Sequence, residues 1–488
     1  MKKPLLYIPA EKLDKSKYIR QLREIVGWKN TGARGTIIAP TGCGKTIIAS
    51  IAIAKMVRWY PDYKAVVVVP GIDLKTQWEG IMKHFGLADN VEVIVINSLL
   101  LRDKITCNLL VCDEYHRYPS EKFSMLFDIV EYSWLLGLTA TIKRLDGLES
   151  LLLARAPICG EITVKEALRN GWISEMLHIN LPVPLTRKET EALKELDKQI
   201  SRGLSVFGGD FKLMQRCQNI ESAKAYVAQR YPQEDEDIKG KIVQVDAINT
   251  SKRIHKRKEA VNLTKHKIEA SVKLIQELRL KTIIFSESTT FATLVAEELG
   301  PIAVDYHSNV APKEIEVEVT KTCKTQASVL KLIDTLDSYK SVPTVIGNKT
   351  QWEITYKVKK MLSSAKVKEA NMKAFMDNEV EVLSTARAVD VGFDKADVEF
   401  GLEASRTSAD AQVSQRKGRI CRIHEYKDGT FKTGVYISLY VPNSQDEKWL
   451  RRSQAEIGDS VIWMDDIDET IDLIKTTLKA QRTKTTLF

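Results

Sequence analysis

The sequence has no long apolar run, no paired-cysteine motif and no internal repeat, and each absence excludes a class of protein. No stretch of the 488 residues approaches the roughly eighteen apolar residues that a membrane-spanning helix needs. The seven cysteines are scattered, without a CxxC pair or a Cys/His cluster at zinc spacing, so we expect neither a disulfide framework nor a structural metal. Nothing recurs at the length of a solenoid repeat. These absences favour a protein of a reducing, cytoplasmic compartment.

The composition that remains is that of a soluble globular protein. Hydrophobic residues make up 44% and charged residues 28% of the chain, and its length suits roughly two to four domains. The formal net charge of +9 favours a polyanionic partner, although a basic soluble protein with no such partner is nearly as common.

The stretch TIIAPTGCGKTII, residues 36–48, predicts a buried strand, a Gly/Thr loop and the first turn of a helix. The amides of such a loop and the helix N-terminus offer hydrogen-bond donors and partial positive charge to a phosphate. Lys45 can reach the β and γ phosphates, and the Thr46 hydroxyl can bind Mg²⁺. Ala39 stands where the strict pattern has glycine. The residues expected to hold a nucleotide here are Thr41, Gly42, Cys43, Gly44, Lys45 and Thr46.

Two carboxylates directly follow an apolar strand in LLVCDEYH, residues 109–116. Asp113 at the strand tip suits a Mg²⁺ contact, and Glu114 suits a general base that acts on an attacking water. The next strand ends in LTATIKRLD, residues 138–146, whose hydroxyls can pass a change in hydrogen bonding from a nucleotide to a neighbouring ligand. Without that context, TAT indicates only β-propensity.

Near the C-terminus, residues 412–422 read QVSQRKGRICR. Arg416, Arg419 and Arg422 recur at three-residue spacing, which predicts that they share one helical face with Gln415 beside them. A basic helix face is usually solvated or faces nucleic acid. A guanidinium cluster is also what a phosphoryl-transfer site takes from a second domain, where an arginine finger is worth on the order of 10³–10⁵ in rate.

The alternation of strands and helices predicts two doubly wound α/β domains. Between them, charged helical segments without a buried strand run predict a helical connector that ends in a basic stretch. The expected divisions are a first domain at 1–182, a connector at 183–264, a second domain at 265–445 with an insertion at about 311–370, and a helical tail at 446–488. Inside the insertion we expect a helix over residues 327–339.

The quoted stretches occur in the order of helicase motifs, together with VVVVPGIDLKTQW, KTIIFSES and STARAVDVGFD. In this respect the chain resembles the superfamily 2 helicases of the DExH branch, which includes XPB and the phage UvsW-like recombination helicases. The resemblance implies two RecA-like parallel-sheet motor domains that bind ATP and Mg²⁺ between them. It also makes Ala39 unremarkable, because alanine is common at this position in the superfamily.

The resemblance implies a role for each matching residue. For hydrolysis it implies phosphate and Mg²⁺ contacts at Lys45, Thr46 and Asp113, a catalytic base at Glu114, a γ-phosphate cleft at Gln415 and Arg416, and a finger at Arg419 or Arg422. Further nucleotide contacts would come from Gly392, Asp394 and Gln21, the last in the place of an adenine-reading glutamine. Coupling to nucleic acid would involve His116, Thr139, Thr141, Thr385, Gln77, Trp78, Asn97 and Ser98.

The implied function is an ATP-dependent 3′-to-5′ DNA helicase of a bacterial or phage-infected cell. It would unwind or branch-migrate forked DNA in recombination, repair or replication, as a monomer bound to single-stranded and branched DNA and not to a membrane. Three alternatives stay open: a duplex translocase that does not separate strands, an RNA helicase, and a nucleotide-gated binding module without turnover. The lack of a recognisable nuclease motif counts against the first. The presence of Glu114, Gln415 and Arg419 counts against the last.

Overall fold

The computed structural model of the protein describes residues 14–144, 146–333, 339–346, 349–387, 395–406, 410–457 and 461–485. Its strands are β1 (Arg34–Ile38), β2 (Ala65–Val69), β3 (Val91–Val95), β4 (Ile105–Asp113), β5 (Val130–Thr139), β6 (Ile158–Glu161), β7 (Met176–Pro182), β8 (Thr282–Ser286), β9 (Ala303–Tyr306), β10 (Lys313–Cys323), β11 (Tyr339–Ile346), β12 (Lys349–Leu362), β13 (Val382–Ala386), β14 (Phe400–Glu403), β15 (Gly434–Tyr440) and β16 (Ile462–Trp463). Its α-helices are α1 (Lys15–Asn30), α2 (Lys45–Trp59), α3 (Ile72–His84), α4 (Ile96–Leu99), α5 (Glu121–Ser124), α6 (Leu126–Ile129), α7 (Glu149–Arg155), α8 (Val164–Arg169), α9 (Arg187–Ser205), α10 (Phe211–Arg216), α11 (Ile220–Arg230), α12 (Glu236–Asn262), α13 (Lys265–Leu278), α14 (Thr289–Leu299), α15 (Gln326–Ile333), α16 (Ser364–Met376), α17 (Asp410–Ile420), α18 (Gln445–Ile457) and α19 (Ile467–Thr485).

The first domain is built on a parallel sheet of six strands in the order β3-β2-β4-β5-β1-β6. Strand β2, an alanine followed by four valines, is buried along its whole length, as expected for the interior of a parallel sheet. Strands β1 and β4 flank β5. The loop after β1 and the carboxylates after β4 therefore open at the same, carboxyl edge of the sheet.

The second domain is a parallel sheet of seven strands in the order β16-β7-β15-β14-β8-β13-β9. Its strand β7 pairs with β15 from Met176↔Gly434 to Pro182↔Tyr440. A first domain at 1–182 would wrongly include this strand, so the boundary lies before Met176. The pairing satisfies the edge of β15 that would otherwise be open.

The last forty or so residues also join this sheet instead of forming a separate tail. Strand β16 pairs with β7, and Ile471 and Ile474 of α19 lie in the core of the second domain. At the start of α18, Asp446 accepts a hydrogen bond of 2.9 Å from the fully buried Lys267 ammonium. The expected tail at 446–488 does contain helices, α18 and α19, but it packs on the second domain and does not form a division of its own.

Helices α9 to α12 form the connector and pack around a small apolar core of their own. Phe207, Met214, Val227 and Val243 are among its buried residues. The prediction of helices without strands agrees with the structure over 183–264. Since β7 precedes the connector and α13 follows it, both of its ends are fixed to the second domain.

The insertion forms a separate antiparallel sheet in the order β10-β12-β11. Strands β10 and β12 pair from Lys313↔Leu362 to Cys323↔Trp352. The helix expected over 327–339 is α15, which ends at Ile333, and Tyr339 already begins β11. That expectation was wrong at its C-terminal end, because the β-branched residues that follow favour a strand. Every helix in the described part of the chain falls short of the length and apolar character that crossing a membrane requires.

Candidate functional site

An open cleft of about 330 Å³ separates the carboxyl edge of the first sheet from helix α17 of the second domain. We call it the interdomain cleft. Of the predicted nucleotide and catalytic residues, it is lined by Thr41, Gly42, Gly44, Lys45, Thr46, Asp113, Glu114, Gln415, Arg419 and Arg422. Leu74, Ile81 and Arg117 are among the further lining residues that sequence reasoning did not single out. The first two share a face of α3 with Gln77, at a spacing that could have indicated them.

The loop after β1 has a conformation that only glycine adopts readily. Gly42 and Gly44 have φ values of +94° and +79°, and Gly44 is the residue that precedes α2. A Cβ on Gly44 would lie 2.6 Å from the side-chain amide nitrogen of Gln21. The Lys45 ammonium donates a 3.1 Å hydrogen bond to the carbonyl of Ala39, so it lies inside the curve of the loop.

Helix α1 supports this loop from behind. The Gln21 amide donates to the carbonyl of Cys43 at 3.0 Å, and the Lys17 ammonium donates to the carbonyl of Gly42 at 2.8 Å. Gln21 is buried and does not line the cleft, so it holds the loop here and does not occupy the position of a base reader. The Cys43 side chain belongs to the core of the first domain, and only its backbone serves the loop.

The carboxylate pair lies at the tip of β4. Trp78 Nε1 donates to Asp113 Oδ2 at 2.8 Å, and the Glu114 amide donates to Asp113 Oδ1 at 3.0 Å. Burial, reinforced by the Glu114 charge, raises the pKa of Asp113 to about 6. Glu114 has a φ of +52°, and its buried Oε2 has no hydrogen-bond partner among the described residues. The backbone thus holds an unsatisfied carboxylate oxygen beside the cleft.

A short hydrogen-bond chain joins His116, which follows this pair in the sequence, to the end of β5. The Thr139 hydroxyl donates to the carbonyl of Thr141 at 2.5 Å, so its oxygen can accept from His116 Nδ1, 2.9 Å away. Burial lowers the pKa of His116 to about 4, which keeps the ring neutral near pH 7. Arg144 donates to the carbonyl of His116 at 2.6 Å. The structure therefore brings together His116, Thr139 and Thr141, three of the residues that the resemblance implies for coupling.

Helix α17 presents Gln415 and Arg419 to the cleft but turns Arg416 away from it. Arg416 is only 1% exposed, and its guanidinium lies 3.2 Å from Glu403 and 2.8 Å from Glu287. Its expected place at a γ phosphate was wrong, because its side chain points from α17 into the second sheet. The prediction of one shared face was also wrong, since the helix ends at Ile420, before Arg422.

The residues expected to contact nucleic acid separate into two groups. Trp78 is 1% exposed and binds Asp113, so its side chain offers almost no surface to a strand, whereas Gln77 lines the cleft. Thr385 is buried and donates to the carbonyl of Ile284 at 2.7 Å. Asn97 and Ser98 are exposed on α4, just past the carboxyl end of β3, where a strand can reach them. Gly392 and Asp394 lie outside the described residues.

Comparison with known proteins supports this geometry. The family model described as "Type III restriction enzyme, res subunit" matches residues 13–101. Over 298 residues the chain is 30% identical to the "DNA 3′-5′ translocase XPB2" of Sulfurisphaera tokodaii, which covers 58% of this chain and 63% of that protein. In this match and in its two parallel-sheet domains, the chain is similar to superfamily 2 helicases.

A second relative and a solved structure extend the comparison. The "DNA 3′-5′ helicase XPB" of Mycobacterium tuberculosis is 25% identical over 185 residues, 32% of this chain and 33% of that protein. The chain thus spans less than two thirds of the length of either curated relative. The structure of S. cerevisiae Dbp5 bound to RNA and ADP BeF3 superimposes with a TM-score of 0.52 at 12% identity, covering 94% of this chain and 93% of that one. This likeness shows the shared fold.

Gly418 lies where α17 approaches the loop after β1 closely. A Cβ on Gly418 would lie 2.3 Å from the Cβ of Thr41 and 2.6 Å from its hydroxyl oxygen. No rotamer of Thr41 can relieve the first contact, because the backbone fixes the position of Cβ. The backbone of α17 therefore rests directly on the loop.

Proposed function

We propose that the protein is a monomeric, ATP-dependent DNA helicase that moves 3′ to 5′ and unwinds or branch-migrates forked DNA in recombination, repair or replication. The observation that carries the proposal is the interdomain cleft, in which Lys45 and Glu114 of one domain face Gln415 and Arg419 of the other. The names of the two curated relatives, a DNA 3′-5′ translocase and a DNA 3′-5′ helicase, support DNA as the substrate and 3′-to-5′ as the direction.

The residues at the bottom of the cleft fit Mg²⁺. Thr46 and Asp113 offer a hydroxyl and a carboxylate, the oxygen ligands that this ion prefers. Burial and the Glu114 charge raise the pKa of Asp113 although Lys45 lowers it, so a cation held beside this carboxylate would favour its charged form. When bound, Mg²⁺ neutralises charge on the β and γ phosphates.

The other cleft residues divide the work of hydrolysis. The loop amides and Lys45 hold the phosphates, and the unsatisfied Oε2 of Glu114 orients and deprotonates the attacking water. Arg419 stabilises the charge that develops on the transferred phosphoryl group. Closure of the cleft around ATP and its opening after hydrolysis change the grip on a strand that lies across both domains. Backbone contacts of this kind make binding steeply salt-dependent.

A duplex translocase that does not separate strands is the second candidate. Two observations favour it. The relative from Sulfurisphaera tokodaii is named a translocase, and residues 13–101 match a restriction-enzyme subunit. Both candidates use the same cleft, so only the product of movement distinguishes them.

The test uses the purified full chain and a panel of forked, four-way and tailed substrates built with DNA or RNA strands. We expect ATP turnover to rise with DNA, and strands to separate on duplexes with a 3′ tail and not on those with a 5′ tail. Displacement of a third strand from a triplex without separation of the duplex would favour the translocase. Equal stimulation by RNA would contradict the choice of DNA.

The fall of kcat/KM for ATP on the acid side of its pH profile should depend on the Mg²⁺ concentration. At limiting Mg²⁺, we expect kcat/KM for ATP to fall below about pH 6, because protonated Asp113 cannot bind the ion. Raising Mg²⁺ should move this fall to lower pH, since the ion competes with the proton. The neutral His116 adds nothing above pH 5, because its pKa is about 4. A fall that stays at the same pH at tenfold higher Mg²⁺ would contradict this assignment.

The substitution Gly418→Ala should hold the two domains apart. We expect it to lower kcat/KM for ATP by about 100-fold, the usual cost of a displacement of about 1 Å in a catalytic group. The matched control is Gly80→Ala on α3, where a Cβ would meet nothing within 4 Å, and its kinetics should equal those of the wild type. Wild-type kinetics for Gly418→Ala would show that the cleft works without this close approach.

A further inference from the structure

Two consecutive residues between β8 and α14, Glu287 and Ser288, contact three separate parts of the second domain. The Glu287 carboxylate uses one oxygen for each of two cations: Oε1 lies 2.8 Å from Arg416 and Oε2 lies 4.0 Å from Lys258. Its backbone carbonyl accepts from Arg387 Nε at 2.9 Å. Glu287 therefore lies at the meeting point of the connector, the end of β13 and helix α17.

Ser288 adds a second link to the connector. Its hydroxyl donates a short hydrogen bond to the Glu259 carboxylate of α12, and its oxygen accepts from the Phe291 amide at 3.2 Å. The second of these bonds caps the N-terminus of α14. Helix α12 is thus held at adjacent residues, Lys258 and Glu259, to adjacent residues of the loop.

At the other end of this chain of contacts, Arg416 fixes the orientation of α17. It is paired with Glu403 as well as Glu287, and it donates to the carbonyl of Ser405 at 3.0 Å. A buried guanidinium with this many partners has little freedom to turn. Its neighbours on the helix, Gln415 and Arg419, are the groups that the second domain brings to the interdomain cleft.

At the connector end of these contacts, the Lys258 side chain is accessible to an anion. Lys258 is 44% exposed, and 4.0 Å is too long for a hydrogen bond to Glu287, so its ammonium can exchange partners. Lys252 and Lys256 are exposed on the same stretch of α12. A nucleic-acid phosphate bound at this stretch would attract Lys258 away from Glu287. The Glu287 carboxylate would then interact with Arg416 without competition from Lys258.

We propose that Glu287 is a positioning residue that relays nucleic-acid binding at the basic stretch of α12 to helix α17, and so to Arg419 in the cleft. The proposal rests on the proposed function, because it supplies a path for the stimulation of ATP turnover by DNA. The connector is fixed to the second domain at both ends, and the contacts of Glu287 and Ser288 described above all lie within that domain and its connector. The relay therefore acts within the second domain.

The first test compares two substitutions at one position. Glu259→Ala removes the hydrogen bond to Ser288, whereas Glu259→Gln removes the same charge and keeps an acceptor for that bond. We expect Glu259→Ala to lower the maximal DNA-stimulated turnover about tenfold, and Glu259→Gln to match the wild type. Loss of a negative charge cannot weaken DNA binding electrostatically, so the DNA concentration for half-maximal stimulation should not rise.

The second test removes the centre of the relay. Glu287→Gln keeps the size of the side chain and should also reduce the ratio of stimulated to unstimulated turnover about tenfold, with KM for ATP unchanged. Thermal unfolding checks that each variant is folded. Equal stimulation of Glu259→Ala, Glu287→Gln and the wild type would overturn the relay, as would an equal loss of turnover with and without DNA. A wild-type protein that DNA does not stimulate would instead overturn the proposed function.

Discussion

Replacing Arg419 with alanine is expected to lower kcat for ATP hydrolysis by a factor on the order of 10³–10⁵, the range measured for arginine fingers. Arg419 lies within α17, directly after the glycine that touches Thr41, and it is only 8% exposed. A guanidinium held by a helix at a close approach of the two domains is already oriented toward the phosphates. Such preorganisation makes a fixed charge effective in a transition state.

Arg422 is the natural comparison, because it lines the same cleft but follows the end of the helix. We expect Arg422→Ala to reduce kcat only about tenfold, since Arg422 follows the helix and lies farther along the chain from the contact at Gly418. Arg419→Lys should recover little activity, because an ammonium cannot reproduce the planar fork of a guanidinium. Single-turnover hydrolysis with saturating ATP measures both effects. A larger loss for Arg422→Ala than for Arg419→Ala would exchange the two roles.

Glu114→Gln should produce the second large effect, a fall in kcat by a factor of about 10²–10⁴ with ATP affinity retained. The amide keeps the size of the side chain but cannot take a proton from water. The unusual φ of +52° at this residue stays accessible to glutamine, so the loop should keep its shape.

Binding and hydrolysis must be measured separately to test this role of Glu114. A fluorescent ATP analogue should bind Glu114→Gln with wild-type affinity, whereas Lys45→Ala, which removes a phosphate contact, should bind it weakly. Hydrolysis by Glu114→Gln at a rate near that of the wild type would show that another group activates the water.

The parts of the site that follow strands were predictable from the sequence. Lys45 and Glu114 come directly after buried apolar runs, and parallel strands bring their carboxyl ends to one edge of a sheet. The order of the motifs then implied a second domain that supplies Gln415 and Arg419. Those four residues do line one cleft in the structure.

Side-chain direction was harder to predict, because packing decides it. Trp78 and Arg416 both stand next to a residue that lines the cleft, yet one lies in the core and the other in a buried ion-pair cluster. Spacing alone cannot tell which face of a helix lies against the sheet and which faces the cleft. The sequence also did not predict which sheet β7 joins, because a short apolar strand between two domains can pair with either sheet.

The insertion, which forms the antiparallel sheet of β10, β11 and β12, begins and ends at neighbouring positions of the second domain. Lys313 at the start of β10 is paired with Leu362 at the end of β12. The two points at which the insertion joins the second domain are therefore adjacent. Side chains alternate between the two faces of a strand. Each strand of the insertion can therefore lengthen or shorten by two residues without changing which side chains lie on which face. The parallel sheet of the second domain can therefore keep its structure while the length of the insertion changes.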